Sequence, residues 1–265
     1  MEIIATVNRR GGVGKTATAQ AIGAGLAHLG KKVLFIDLDS QQNLTFDLAA
    51  ELKPGSMELL TGTPAEDVIQ HCSKWDIIPA SPELAAADLT LTQTGKEYRL
   101  QEALEPIKGN YDYIIIDTPP ALNIITVNAL TAADSVLIPA QAEIHSLQGI
   151  ALLYDIIDRV KKYCNKDLRI KGIILTRYKG RAILSQDMKE ELEARAGQLG
   201  TKVFKAPVRE CIAISEAQAS QADIFTYAPG SNAVKDYAAV LAEMLKQPAE
   251  KVYIKITQNS KKRTK

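Results

Sequence analysis

No apolar run in the 265 residues approaches the roughly 20 that a bilayer-spanning helix needs. Cysteine is scarce. Cys72, Cys164 and Cys211 are odd in number and lack metal-ligand spacing, which points to free thiols in a reducing cytosol rather than a disulfide framework. Net charge is nearly absent: 32 Lys and Arg stand against 31 Asp and Glu, so the whole molecule is not a polycation. There is no signal-peptide pattern, no internal repeat and no interdomain linker. A soluble, cytoplasmic protein is the expectation.

A hydrophobic fraction of 46% is enough to bury a sizeable core and excludes wholesale disorder. The length fits one large α/β domain or two small ones, and a single domain over 1–248 is expected. Residues 251–265 hold six basic residues and no acid, which leaves the first 250 with a net charge of −5. The stretch 249–265 is therefore expected to be a basic, mobile tail. Within it, Lys251-Val252-Tyr253-Ile254-Lys255-Ile256 alternates with period two and resembles an edge strand.

Short apolar runs predict strands over Ile3–Val7, Val33–Ile36, Ile77–Ile78, Tyr113–Ile116, Ser135–Ile138 and Ile170–Leu175. Ile114-Ile115-Ile116 is apolar on both alternating faces, as a parallel sheet covered on each side requires. Helices are predicted between them, over Thr16–Leu29, Glu97–Leu104, Ile124–Ala132, Leu147–Lys161, Leu184–Ala196 and Asn232–Leu245. The fold class is α/β: an open, mostly parallel twisted sheet with helices on both faces.

The sharpest signal is Gly11-Gly12-Val13-Gly14-Lys15-Thr16 between a predicted strand and a predicted helix. Glycines let backbone N–H groups wrap phosphates at the positive end of the following helix. Lys15 would reach the phosphates and the Thr16 hydroxyl would bind Mg²⁺. The strict pattern fails in one place, because Arg9 stands where its first glycine belongs. Two further segments complete a nucleotide site. Asp37-Leu38-Asp39 follows one strand, and Tyr113-Ile114-Ile115-Ile116-Asp117 has the form of a Walker B strand.

On these segments, with Ser40-Gln41, Asn128 to Asp134 and Ser215-Glu216-Ala217, the chain resembles the ParA/Soj/MinD family of deviant Walker A ATPases over about residues 1–246. Short ParA-type DNA-partitioning ATPases are the nearest match. The resemblance implies ATP and Mg²⁺ as ligands, an ATP-dependent homodimer, nonspecific DNA binding, and a ParB-like centromere-binding partner that stimulates hydrolysis. It implies that Lys15 binds phosphate, that Thr16 and Asp117 hold the metal with Asp37 in support, and that Asp39 orients the attacking water. Gly11, Gly12, Val13, Gly14 and Ala17 would line the phosphate loop, and Pro207 and Arg209, with Thr176 and Arg177, the adenine.

Arg10 occupies the position of the family's signature lysine, which reaches the partner's nucleotide; it keeps the charge with a bulkier, bidentate group. Ser40 and Ala17 replace the usual proline and threonine without removing a metal ligand. Arg181, Lys179 and Arg209 are the candidate DNA-phosphate contacts. The competing readings are a MinD-like membrane-associated regulator, which would need an amphipathic helix near the end of the sequence, and an ATP-binding adaptor or repressor with weak hydrolysis. An iron–sulfur reductase would need paired cysteines that this sequence does not place.

Overall fold

The computed structural model describes all residues except Lys53, Arg181, Ala182 and 263–265, and only the backbone of Ile144, His145, Leu147, 183–185, Lys261 and Lys262. Among the described residues seven strands form one sheet: β1 (Glu2–Thr6), β2 (Val33–Asp37), β3 (Gln70–His71), β4 (Asp76–Ile78), β5 (Tyr113–Asp117), β6 (Ser135–Ala140) and β7 (Arg169–Leu175). Their order is β3-β4-β2-β5-β1-β6-β7, and every pairing is parallel except β3 with β4. Six strands match the predicted runs. The seventh, β3, is two residues long and too short to register as a pattern.

Two apolar layers sandwich the sheet. Ile114 and Ile116 face one core with Ile3, Ile36 and Ile138, while Ile115 faces the other with Ile4, Phe35 and Leu137. The period-two alternation thus divides one isoleucine run between two cores. The helix Lys15–His28 lies on the second face. An added Cβ at Gly23 would sit 2.3 Å from the Phe35 ring, so glycine is what lets this helix approach the sheet.

The predicted edge strand is not formed. Ala249–Lys262 is a helix on the second face, with Val252 and Ile256 buried against the helices Lys15–His28, Ile224–Tyr227 and Asn232–Leu245. Asn259 Nδ2 donates to the His28 carbonyl at 2.7 Å. Residues 249–262 are therefore a docked element rather than the expected mobile tail. The alternation misled because Val252 and Ile256, four apart, also share one helical face; Ile254 is left on the outer side, 43% exposed. Beneath the helix lies a buried hydrogen bond, His28 Nε2 with Asp223 Oδ1 at 3.0 Å, and Lys74 bonds the other Asp223 oxygen at 3.0 Å.

No helix among the described residues is long and apolar enough to cross a membrane.

Candidate functional site

The strand order reverses around β1, with β5 on one side and β6 on the other. Open α/β sheets bind ligands at such a switch, outside the carboxyl ends of the strands. The parallel register aligns Thr6, Asp117 and Asp37 in one row at that edge. The loop after β1 is strapped to β6 and to the residue that follows β7. Asn8 Nδ2 donates to the Pro139 carbonyl at 2.7 Å, and Thr176 Oγ1 donates to the Val13 carbonyl at 2.7 Å. Gly12 and Gly14 hold φ of 74° and 82°, the left-handed region that glycine enters without strain. No heavy atom beyond their chain neighbours lies within 4 Å of where a Cβ would stand on Gly11 or Gly12, so the loop leaves an open cradle.

Lys15 opens the helix and is buried. Its ammonium donates to the Arg10 carbonyl at 3.2 Å, and burial pulls its pKa down against the attraction of Asp117 and Asp39. Thr16 Oγ1 donates to Asp117 Oδ2 at 2.7 Å. Burial, then the neighbouring Asp37 charge, pushes the Asp117 carboxyl well above the ordinary range; the Thr16 hydrogen bond and Lys15 oppose the shift. A buried ammonium held by one carbonyl, beside a carboxylate raised chiefly by burial, is a charge set suited to phosphate plus a divalent cation. No group of three or more His, Cys, Asp or Glu among the described residues could hold a metal alone. Mg²⁺ keeps waters and shares phosphate oxygens, so it needs few protein ligands, and the paired Thr16 and Asp117 oxygens are groups that could hold it.

Asp37 has a different occupation. Its Oδ2 accepts from both Thr45 N and Thr45 Oγ1 at 2.8 Å, and its Oδ1 accepts from Asp39 N at 3.0 Å. It clamps the β2 loop, where metal support was expected. Through that loop it presents Asp39, which lines the cavity and accepts from Gln41 N at 3.0 Å.

The cavity has a volume of about 900 Å³ and runs from Gly11–Thr16 to the helix Ile212–Ala219. Ala17, Thr176, Arg177 and Arg209 also line it; Pro207 and Val13 do not. Asp47, Gln218 and Tyr237 line it too, and no motif in the sequence marked them. Arg10 is partly exposed and pairs with Glu143 at 2.5 Å.

The expected DNA contacts are less free than their charges suggested. Arg209 makes a bidentate pair with Asp236, at 2.9 and 2.6 Å, and Arg177 and Lys179 share Glu210 at 3.0 and 3.3 Å. Arg181 lies outside the described residues.

A parallel sheet with this glycine loop, a buried loop lysine and a Walker B carboxylate defines a P-loop nucleoside triphosphatase. Residues 1–170 match the family model described as an AAA domain. The chain is 39% identical over 250 residues to the sporulation initiation inhibitor protein Soj of Bacillus subtilis, covering 92% of this chain and 98% of that protein. It is 37% identical to the chromosome-partitioning ATPase Soj of Thermus thermophilus, covering 93% and 96%. Among solved structures, an ATP complex of a Cyanothece McdA variant superposes with TM-score 0.83 at 27% identity, covering 94% and 97%. Cobyrinic acid a,c-diamide synthase of Mycobacterium smegmatis, with bound ADP and magnesium, gives 0.75 at 32% identity, covering 83% and 91%. The chain belongs to the ParA/Soj family of P-loop ATPases.

Proposed function

We propose that the protein is a Mg²⁺-dependent DNA-partitioning ATPase of the cytoplasm and nucleoid that dimerises on ATP and binds DNA nonspecifically. Hydrolysis, slow on its own, is stimulated by a ParB-like partner and resets it. The observation that carries this reading is the buried Lys15–Asp117 charge set beneath an open glycine cradle, on a chain whose nearly full-length relatives include a chromosome-partitioning ATPase.

Backbone amides of the loop and Lys15 bind the phosphates and neutralise charge that builds on them. Thr16 and Asp117 hold Mg²⁺, which when bound neutralises phosphate charge. Asp39 lines the cavity and orients the attacking water. Arg10, partly exposed, leaves Glu143 to grip phosphate oxygens of the partner's nucleotide. Arg181, Lys179 and Arg209 contact DNA phosphates; for Lys179 and Arg209 this requires displacing Glu210 and Asp236. The apolar side of the last helix is packed against the body, which favours DNA over a membrane surface.

The test is binding to a random-sequence duplex with ATP, with ADP and without nucleotide, at two salt concentrations. Tight, salt-sensitive binding only with ATP, lost in Lys15→Ala and weakened in Arg181→Ala, is the expected result. ATP binding without DNA binding in any state would overturn it. Asp39→Ala should bind ATP yet lose about a hundredfold in partner-stimulated hydrolysis; an unchanged rate would remove its assigned role.

A further inference from the structure

Asp47 ends the helix Asn43–Asp47 on the wall of the cavity, buried but for 4% of its surface. Two amides hold it. Gln218 Nε2, from the adjoining helix Ile212–Ala219, donates to Oδ2 at 2.6 Å. Gln20 Nε2, from the helix that begins at the phosphate loop, donates to the Asp47 carbonyl at 3.2 Å. Among the described residues no cation pairs with this carboxylate, and the hydrogen bond it accepts is the one from Gln218 to Oδ2. Burial accordingly pushes its pKa up to about 6, against the Gln218 hydrogen bond. A carboxylate taken out of water for a single hydrogen bond leaves acceptor capacity unused where the cavity can supply a donor.

We infer that Asp47 is a specificity-determining residue of this cavity, its carboxylate accepting a hydrogen bond from an O–H or N–H donor on the nucleoside part of the bound nucleotide. The inference rests on the nucleotide reading above. The phosphate end is already assigned to Gly11–Thr16, and a carboxylate repels phosphate. From the two helices that carry Asp47 and Gln218, the cavity is also lined by Phe46, Ile212, Ile214 and Ala219, with Asn43 and Ser215 as neutral polar groups. That lining carries no positive charge, which suits a sugar or heterocycle better than an anion. A metal ion is a poor occupant, because no second or third carboxylate, His or Cys among the described residues joins Asp47 in a group able to hold one. A cavity of about 900 Å³ has room for a whole nucleotide rather than its phosphates alone.

The donor is either a sugar hydroxyl or the 6-amino group of the base, and analogues separate the two. The full chain, with Mg²⁺, is titrated with ATP, 2′-deoxy-ATP, 3′-deoxy-ATP and inosine triphosphate, as wild type and as Asp47→Asn. In the variant, Gln218 takes the remaining oxygen, so the amide nitrogen faces the cavity, donor against donor. Wild type is expected to bind one of the three analogues about tenfold more weakly than ATP. Asp47→Asn is expected to lose a similar factor for ATP and to bind ATP and that analogue alike. Equal affinity of wild type for all four nucleotides overturns the inference without reference to the variant. So does a variant that keeps the wild-type order of preference. A wild type that binds none of the four overturns the nucleotide reading itself, a separate failure visible before any variant is made.

Discussion

Replacing Ile256 with alanine removes three carbons from a side chain with no exposed surface, in the seam between the last helix and the body. The lost transfer free energy is about 0.8 kcal/mol per carbon, and the cavity left behind raises the cost to about 3 kcal/mol. With an unfolding entropy of about 2.1 cal/mol/K per residue, a chain of 265 residues shifts by about 2 °C for each kcal/mol. Ile256→Ala is therefore expected to lower the melting temperature by about 6 °C. Ile254→Ala, on the partly exposed side of the same helix, should cost under about 2 °C. Thermal unfolding followed by circular dichroism, beside limited trypsin digestion, measures both. The docked helix should shield Lys251 and Lys255 in the wild type and yield to cleavage in Ile256→Ala. If Ile256→Ala melted with the wild type and both proteins were cut rapidly at those lysines, the segment would be detached in solution, and the packing argument would fail.

Asp223→Asn removes the acceptor shared by buried His28 and Lys74, and should cost about 3 kcal/mol at pH 7, read from chemical denaturation. Hydrogen bonds and charge from His28, the Lys74 charge and the Thr226 hydroxyl outweigh burial and hold the Asp223 carboxyl well below the ordinary range. Its contribution is thus full above about pH 4, the unfolded value, and is lost as pH falls toward the folded one, so Asp223→Asn should flatten the acid limb of the stability curve. Asp117 has the opposite sign. Its folded pKa lies above the unfolded one, so without nucleotide its ionisation lowers stability as pH rises from about 4 through the raised value. Asp117→Asn should then melt above the wild type at pH 8, with the difference shrinking toward pH 5; a lower melting temperature at pH 8 would contradict the burial argument. Gly23→Ala should destabilise by about 1–2 kcal/mol, since steric overlap with Phe35 exceeds the gain in helix propensity, and a neutral result would show that the helix can shift.

How much the sequence determined by itself follows from what is local. Ile114-Ile115-Ile116 must cover both faces of a strand whatever else the chain does, so a parallel sheet with two helical layers was legible. Gly12 and Gly14 mark a turn of left-handed backbone, and Lys15 and Thr16 follow at fixed reach, so the phosphate loop was legible too. Other features depend on which distant residue arrives beside a given one. Asp47 meets Gln218 across 171 positions, and Arg209 meets Asp236 across 27, so neither a buried acceptor in the cavity nor a neutralised arginine at its rim leaves a local trace. Asp37 reads from its strand as a metal carboxylate, yet Thr45, eight residues on, claims one of its oxygens and the Asp39 amide the other. The stretch Lys251–Ile256 reads as an edge strand by its period-two alternation, although Val252 and Ile256 also fall on one helical face. Only the apolar surface exposed by its neighbouring helices, which burying Val252 and Ile256 covers, decided in favour of the helix. Local periodicity and backbone geometry therefore set the elements and the loop, while charge pairing and burial, which depend on contacts between distant parts of the chain, were decided by the tertiary structure.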